Sequence, residues 1–331
     1  MKKLFLFILL SSIAFAQPQF SGIASTPGAF SRMGFGARGI GMGNAMSAVT
    51  EGNLVSYYNP ALSVFQNGNY FQTSYSFLSL DRKLNFVSFT KRFDFYSKND
   101  SSENRKPRSS AGICFGLINS GVSNIDGRDG SGNPTGALST SENQFFFAFS
   151  NKFSNKLALG IAVKFFHYSL YQDLTSSGVG LDLGAIYSIS DNLKISGVIS
   201  DLNSKYKWDS STLLGQDGVN TEDSFPLLKK IGISYKNDYY KILVSAEIEN
   251  SNAGTNILRA GVEYNLVEKL YIRGGVDNFN LSNSDFPVRP SLGFSYFKSL
   301  GSNWIVGVDY AFVIEKYSPG DRHIVGVNVK F

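Results

Sequence analysis

The feature that most constrains this chain is the regular alternation of apolar and polar residues in short segments after Tyr70. About fourteen such segments of roughly 7 to 12 residues follow one another, each bounded by Gly, Asn, Asp, Ser or Pro. In residues 304–312, every second side chain is apolar, and the residues between them include Gly307 and Asp309. A period of two belongs to a β-strand with two different faces, so the chain is predicted to be all-β.

The alternation alone does not show what the two faces contact, because the strands of a soluble β-sandwich alternate in the same way. Hydrophobic residues make up 43% of the chain, but the mean hydropathy is only -0.08. No apolar run approaches the roughly 18 residues of a membrane-spanning helix. On the polar faces of the strands, glycines lie beside the charged residues Asp182, Glu263 and Asp309. This combination favours a crowded lumen on the polar side and lipid on the apolar side. We therefore predict a transmembrane outer-membrane β-barrel of about fourteen antiparallel strands.

The lengths of the connections support a barrel independently of the alternation. Short links such as residues 151–156 alternate with long polar ones such as residues 119–142, 169–178 and 201–229. Outer-membrane barrels have this rhythm of tight periplasmic turns and longer extracellular loops. Residues 94–110 break the pattern, since a long link stands where a short turn is expected. The last segment ends on the aromatic Phe331, which suits closure against the first strand.

The N-terminus predicts export. Lys2 and Lys3 precede the apolar residues 4–10 and the small-residue pattern Ala14-Phe15-Ala16, which together are typical of a signal peptide. The predicted organisation is a signal peptide over residues 1–16, a plug-like N-terminal segment over residues 17–69 and a transmembrane barrel over residues 70–331. The expected location is the bacterial outer membrane, in contact with its lipid.

Several other functions find little support in the sequence. The net charge of +5 is spread over 31 basic and 26 acidic residues, without the basic stripe that nucleic-acid binding needs. Gly34 to Gly39 match a dinucleotide fingerprint in form only, because no strand precedes them and no βαβ unit follows. No metal-ligand spacing is present and no cofactor is expected. Catalysis would have to use His167 or His323, and we expect both to lie on apolar, aromatic faces.

Two motifs carry a family resemblance. Residues 36–45 are GARGIGMGNA, and residues 57–62 are YYNPAL. The chain resembles the PorV/PorQ family of outer-membrane proteins, which is similar in architecture to the FadL transporters. Tyr58 stands where tryptophan is commoner in the family, and the acidic pair usual between the two motifs is represented only by Glu51. The resemblance implies a barrel whose N-terminal segment enters the lumen.

Candidate functional residues follow from that arrangement. Glycine allows the N-terminal segment to approach the barrel wall closely, and Arg38 can pair with a lumenal carboxylate such as Asp182 or Glu263. The alternative is a flexible linker. The complete set of candidates in the plug and lumen is Arg38, Asn59, Pro60, Asp182, Arg259, Glu263 and Asp309.

The sequence leaves two main functions open. The resemblance implies a component of type IX protein secretion, with secretion-system subunits or secreted cargo as partners. Tyr206, Trp208 and Phe225 in the longest loop are then candidate contacts for that cargo. The alternative is a FadL-like transporter that carries a hydrophobic small molecule across the outer membrane. An outer-membrane enzyme is a third alternative, and we expect the protein not to be one.

Overall fold

The computed structural model describes residues 22–96, 107–171, 174–301 and 303–331. The predicted signal peptide and part of the unusually long link after residue 94 lie outside these ranges. In the described part of the chain, no helix is both long enough and apolar enough to cross a lipid bilayer.

The described residues form a closed antiparallel barrel of fourteen strands and a separate two-stranded hairpin. The barrel strands are β1 (Asn69–Phe77), β2 (Arg82–Phe95), β3 (Ser109–Arg128), β4 (Pro134–Lys152), β5 (Leu157–Tyr171), β6 (Leu174–Ser188), β7 (Leu193–Leu202), β10 (Leu228–Asn237), β11 (Ile242–Ser251), β12 (Asn256–Val267), β13 (Leu270–Asn280), β14 (Arg289–Leu300), β15 (Trp304–Val313) and β16 (Arg322–Lys330). The hairpin consists of β8 (Lys205–Asp209) and β9 (Asn220–Ser224). The helices are α1 (Ala37–Gly41), α2 (Ser211–Leu214) and the 3₁₀ turns Gly22–Ser25, Phe30–Arg32, Pro60–Phe65 and Gly215–Asp217.

The barrel is closed by its first and last strands. β1 pairs with β2 on one side and with β16 on the other, where Tyr70 lies opposite Lys330 and Phe77 lies opposite His323. Closure removes the unpaired strand edges that lipid could not satisfy. The predicted all-β barrel of about fourteen antiparallel strands is confirmed.

The alternating residues face two different environments. Phe145, Phe165 and Val308 point outward and are 48% to 51% exposed, whereas Gly307 and Asp309 face the lumen and are buried. Apolar side chains follow the outer face of every barrel strand, as a lipid-facing surface requires. At one rim Trp304 stacks on Phe331 with ring centroids 4.9 Å apart, which is typical of an interfacial aromatic belt.

We name the two ends of the barrel by what lies there. The turn end is where β1 begins and β16 ends; apart from the long link between β2 and β3, its links are short, such as residues 189–192 and 268–269. The loop end is the opposite one and carries the β8–β9 hairpin and residues 281–288 and 314–321.

Two segments predicted as loops at the loop end prove to be strand. Most of residues 119–142 belongs to β3 and β4, and most of residues 169–178 belongs to β5 and β6. The prediction of loops was wrong there because it used apolar content as its guide. Backbone hydrogen bonds extend a hairpin beyond the apolar band whatever its side chains are.

The N-terminal segment fills the lumen. From Phe30 to Gln66, nearly every described residue is buried, and Phe35, Met42 and Leu62 are at most 1% exposed. The main apolar cluster of the molecule is formed between this segment and the inner faces of the strands. We call residues 22–66 the plug.

Candidate functional site

The plug lies directly against glycines of the barrel wall. Gly43 adopts a φ of 59° and adjoins the backbone of Val276 and Ala260, so that any Cβ there would be both strained and without space. On the opposite side of this contact, a Cβ on Gly261 or Gly275 would overlap the backbone of Met42 or Gly43. The glycines on the lumenal faces of the strands therefore allow two backbones to meet.

Arg38 ties the plug to the wall by charge. Its Nε and Nη2 donate to the two carboxylate oxygens of Glu263 over 2.8 and 2.9 Å, while Arg273 donates to the same carboxylate over 2.6 Å. Burial is the largest single effect and would lower the pKa of Arg38, but the charge and hydrogen bonds of Glu263, together with Tyr70 and Glu51, raise the pKa overall, so the guanidinium stays charged. Of the two partners considered from sequence, Arg38 contacts Glu263 and not Asp182.

A second ion cluster surrounds Arg259. Its three guanidinium nitrogens contact Asp277 at 2.7 Å, Glu247 at 3.1 Å and Glu249 at 3.1 Å. The plug joins this cluster through Asn44, whose Nδ2 donates to Asp277 over 2.7 Å. Because a buried charge without a partner is costly, the cluster holds three wall strands and the plug in one arrangement.

Asp182 belongs to a third cluster. Lys164 Nζ lies 2.7 Å from Asp182 and 3.0 Å from Asp201, and the ammonium lies 4.9 Å from the ring centroid of Tyr57 in the plug. Asp201 has a positive φ of 63°, which turns its backbone N–H toward Asp182, where it donates over 2.8 Å. This cluster contacts the plug through the aromatic ring of Tyr57.

The remaining lumen candidates also meet the plug. Asp309 accepts hydrogen bonds from Asn53 of the plug, Asn328 and Ser295. Asn59 accepts from the backbone N–H of Ala61 over 3.0 Å and so caps the 3₁₀ turn that Pro60 begins. Its amide nitrogen donates to the carbonyl of Ala185 in the wall over 3.3 Å.

Aromatic side chains dominate the lumen beneath the β8–β9 hairpin. Tyr206 and Phe225 are 0% and 4% exposed, and their ring centroids lie 5.1 Å apart. Phe166 of β5 lies 4.6 Å from Phe225, and Tyr168 lies 5.4 Å from Trp208. We call these five residues the aromatic cluster.

Two members of the aromatic cluster, Tyr206 and Phe225, do not lie where the sequence predicted them. Tyr206 and Phe225 were expected in an exposed loop as contacts for a partner, but both side chains face the lumen because β8 folds back across β6. Tyr206 donates its hydroxyl proton to Glu142 over 2.8 Å. Burial and the nearby Glu142 carboxylate raise the pKa of Tyr206, which keeps the phenol neutral. A role in contacting cargo stays a prediction.

Free space in the lumen is concentrated at the turn end. A cavity of about 770 Å³ opens there, with Arg38, Glu263 and Arg273 among its lining and Lys241 and Lys330 nearer the rim. Beside the ion clusters, two small cavities of about 30 and 10 Å³ lie between the plug and the wall. Each of these two is too small for more than a few water molecules.

Sequence reasoning did not single out several members of the ion clusters. Lys164 was not noted, although it shares the inner face of β5 with Ala162 and Phe166. Glu247 and Glu249 were not noted, although they are two residues apart on one strand and therefore face the same way. Their spacing was the signal that could have placed them in the lumen.

Neither histidine enters the lumen. His323 Nδ1 lies 2.7 Å from the hydroxyl of Tyr310, and His167 Nδ1 lies 3.1 Å from Ser177 Oγ, and all four side chains are on the outer face. Within the described ranges, no group of three or more His, Cys, Asp and Glu residues could hold a metal ion.

Comparison with known proteins identifies similar folds only. No family model matches the chain, and no curated relative does. Among solved structures, the Ralstonia pickettii toluene transporter TbuX is 14% identical, with 91% of this chain and 98% of that chain covered and a TM-score of 0.57. The Pseudomonas putida toluene transporter TodX is 15% identical, with 89% and 96% covered and a TM-score of 0.56. A Pseudomonas aeruginosa FadL homologue is 10% identical, with 88% and 97% covered and a TM-score of 0.53.

These likenesses span nearly the whole of each chain. They confirm that the molecule has the fold of a FadL-like outer-membrane barrel, and the apolar outer face agrees with that environment. Identities of 10% to 15% establish the fold and leave the cargo of the barrel open. The expected PorV/PorQ membership has no matching family model to support it.

Proposed function

We propose that this protein is an outer-membrane transporter of a hydrophobic small molecule, with the loop end facing the outside of the cell. The observation that carries the proposal is the aromatic cluster: five aromatic side chains gathered in the lumen at the loop end. Two solved structures with this fold, TbuX and TodX, are toluene transporters. Apolar walls with few polar groups are what a site for such a ligand needs.

The alternative role in type IX secretion, with secretion-system subunits or cargo as partners, has weaker support. Its basis was the family resemblance and a set of aromatic contacts in an exposed loop. Because Tyr206 and Phe225 are buried, they offer little surface to a protein partner. The secretion role therefore stays a prediction.

Ligand binding can be measured with a tryptophan inside the cluster. The chain has two tryptophans, so W304F leaves Trp208 as the reporter. In detergent, toluene and longer hydrocarbons are expected to change Trp208 fluorescence saturably. Adding F225A, which removes a ring 5.1 Å from Tyr206, should weaken binding about tenfold, since a lost ring contact and the cavity left behind cost more than 1 kcal/mol.

The matched control is Y239A, because Tyr239 is an 85% exposed aromatic residue at the turn end. It should bind like the parent protein. Uptake into liposomes that contain the parent protein should exceed uptake into empty liposomes, and F225A should reduce it. Absence of saturable binding for every hydrophobic probe, together with uptake equal to that of empty liposomes, would reject the transport role.

A further inference from the structure

One buried side chain in the apolar part of the lumen lacks the contacts that its chemistry requires. Gln144 lies on the inner face of β4 between Glu142 and Phe146, and it is 0% exposed. Neither its Oε1 nor its Nε2 has a hydrogen-bond partner among the described residues. A primary amide offers two donors and an acceptor, so all of its bonding capacity is unused.

The neighbours of Gln144 are apolar. It pairs with Ile118 on β3 and with Phe166 on β5, and directly opposed residues have their Cβ atoms about 5 Å apart. Both neighbours are buried in the main apolar cluster, and Phe166 is also a member of the aromatic cluster. The amide of Gln144 therefore lies at the floor of the aromatic cluster.

Gln144 stands out because both of its polar atoms lack a partner among the described residues, whereas Asn280 leaves only its Nδ2 unpaired and accepts from the backbone N–H of Ser282 through Oδ1. Asn59 bonds to two carbonyls and one backbone N–H, and Asn53 bonds to Asp309 and Asn328. A leucine at position 144 would suit the apolar surroundings without an unpaired donor or acceptor. A buried polar group without partners costs stability, so its presence calls for a function.

We propose that Gln144 recognises the hydroxyl group of a monohydroxylated, uncharged hydrophobic molecule that binds in the aromatic cluster. This rests on the proposed transport of a hydrophobic small molecule. A hydroxyl both donates and accepts, so it can bond to Oε1 and to Nε2 at once. A hydrocarbon leaves both atoms unpaired.

A carboxylate fits the site less well than a hydroxyl. It accepts hydrogen bonds but donates none, so Oε1 of Gln144 would stay unpaired. The site therefore selects neutral ligands over acids.

Access to the site is governed by the β8–β9 hairpin. Tyr206 holds the hairpin to Glu142, and Ser176 exchanges two hydrogen bonds of 2.8 Å with the backbone of Lys207. These three hydrogen bonds lie at the loop end and are partly buried. Lifting the hairpin, which carries Tyr206 and Trp208, would open a path from the loop end to Phe166 and Gln144.

The test compares two ligands that differ by one hydroxyl. Dissociation constants of toluene and 3-methylphenol are measured by Trp208 fluorescence in the W304F protein, with and without Q144L. The dissociation constant of toluene divided by that of 3-methylphenol should be about tenfold smaller in Q144L than in the parent. A tenfold change is the value expected for one or two lost neutral hydrogen bonds. Because the two ligands keep the same hydration in both proteins, their solubility difference cancels.

Controls separate the proposed recognition from a general effect of mutation. S245A removes a different buried polar group without a partner among the described residues, the hydroxyl of Ser245 on β11, and should leave the ratio unchanged. Q144M provides a second apolar variant should Q144L fail to fold. An unchanged ratio in Q144L or Q144M, with both ligands still bound, overturns the role of Gln144 and leaves the transport proposal intact. If the parent protein binds neither ligand nor any longer hydrocarbon, the transport proposal itself fails.

Discussion

At the scale of single residues, one carboxylate joins the plug to the wall. Glu263 contacts Arg38 and Arg273 at 2.8 and 2.6 Å, and all three side chains are at most 9% exposed. Removing one partner from a buried ion cluster leaves charge without compensation, and this costs far more than losing an exposed pair. Glu263 therefore stabilises the arrangement in which both arginines are buried.

The variant E263Q tests this role because it keeps the shape of the side chain and removes its charge. We expect it to lower the free energy of unfolding by about 3 kcal/mol, since two buried guanidinium groups then face each other. The measurement is urea unfolding of the protein in detergent micelles.

The control for E263Q is E268Q, since the Glu268 side chain is 87% exposed and lies 3.5 Å from Lys269. E268Q should lower the free energy of unfolding by less than about 1 kcal/mol. Equal losses in the two variants would show that Glu263 does not hold the plug.

At the scale of elements, the close contact between plug and wall depends on which face of a strand carries glycine. Gly274 and Gly275 are neighbours on β13, but only Gly275 faces the plug, where a Cβ would overlap the backbone of Gly43. A Cβ on Gly274 would meet only Leu292, at 3.7 Å. The two positions therefore form a natural pair of variant and control.

G275A is expected to loosen the plug and to destabilise the protein by about 1–3 kcal/mol, the usual cost of overpacking. Limited trypsin digestion of the folded protein should then cleave after Arg38, which is buried in the parent protein. G274A should keep the parent's digestion pattern. If G275A is as resistant as G274A, the backbone contact has more freedom than the structure indicates.

At the scale of the whole molecule, the plug decides whether the barrel conducts. Strand number sets barrel width, and fourteen strands enclose more space than wall side chains can fill. Here the plug and the ion clusters occupy the middle, and the large cavity lies toward the turn end. We therefore expect the intact protein to pass few ions.

Deleting residues 22–66 should give a stable conductance in planar bilayers that the intact protein lacks. The control replaces residues 206–223 by a short Gly-Ser turn, which is feasible because Lys205 and Ser224 are paired. That variant loses the hairpin and keeps the plug, so it should stay closed to ions. A closed barrel after deletion of the plug would mean that other residues block the lumen.

The sequence predicts the facing of strand residues well, but it predicts strand ends and long-range contacts poorly. The alternation in residues 304–312 was enough to assign each side chain of β15 to lipid or lumen, because neighbouring residues of a strand face opposite ways. Polar hairpin ends were missed because side-chain hydropathy does not report backbone pairing. The aromatic cluster was missed because nothing local shows that Tyr206 folds back beneath its own hairpin.

The sequence by itself determined the two-faced strands, their approximate number and the presence of a buried arginine in a glycine-rich segment, since these follow from local spacing and residue chemistry. Only the tertiary structure decided that Arg38 meets Glu263, 225 positions away in the chain, while Asp182 meets Lys164. Strand register and barrel closure fix those pairs, because the same alternating pattern is compatible with many registers until every strand is paired at once.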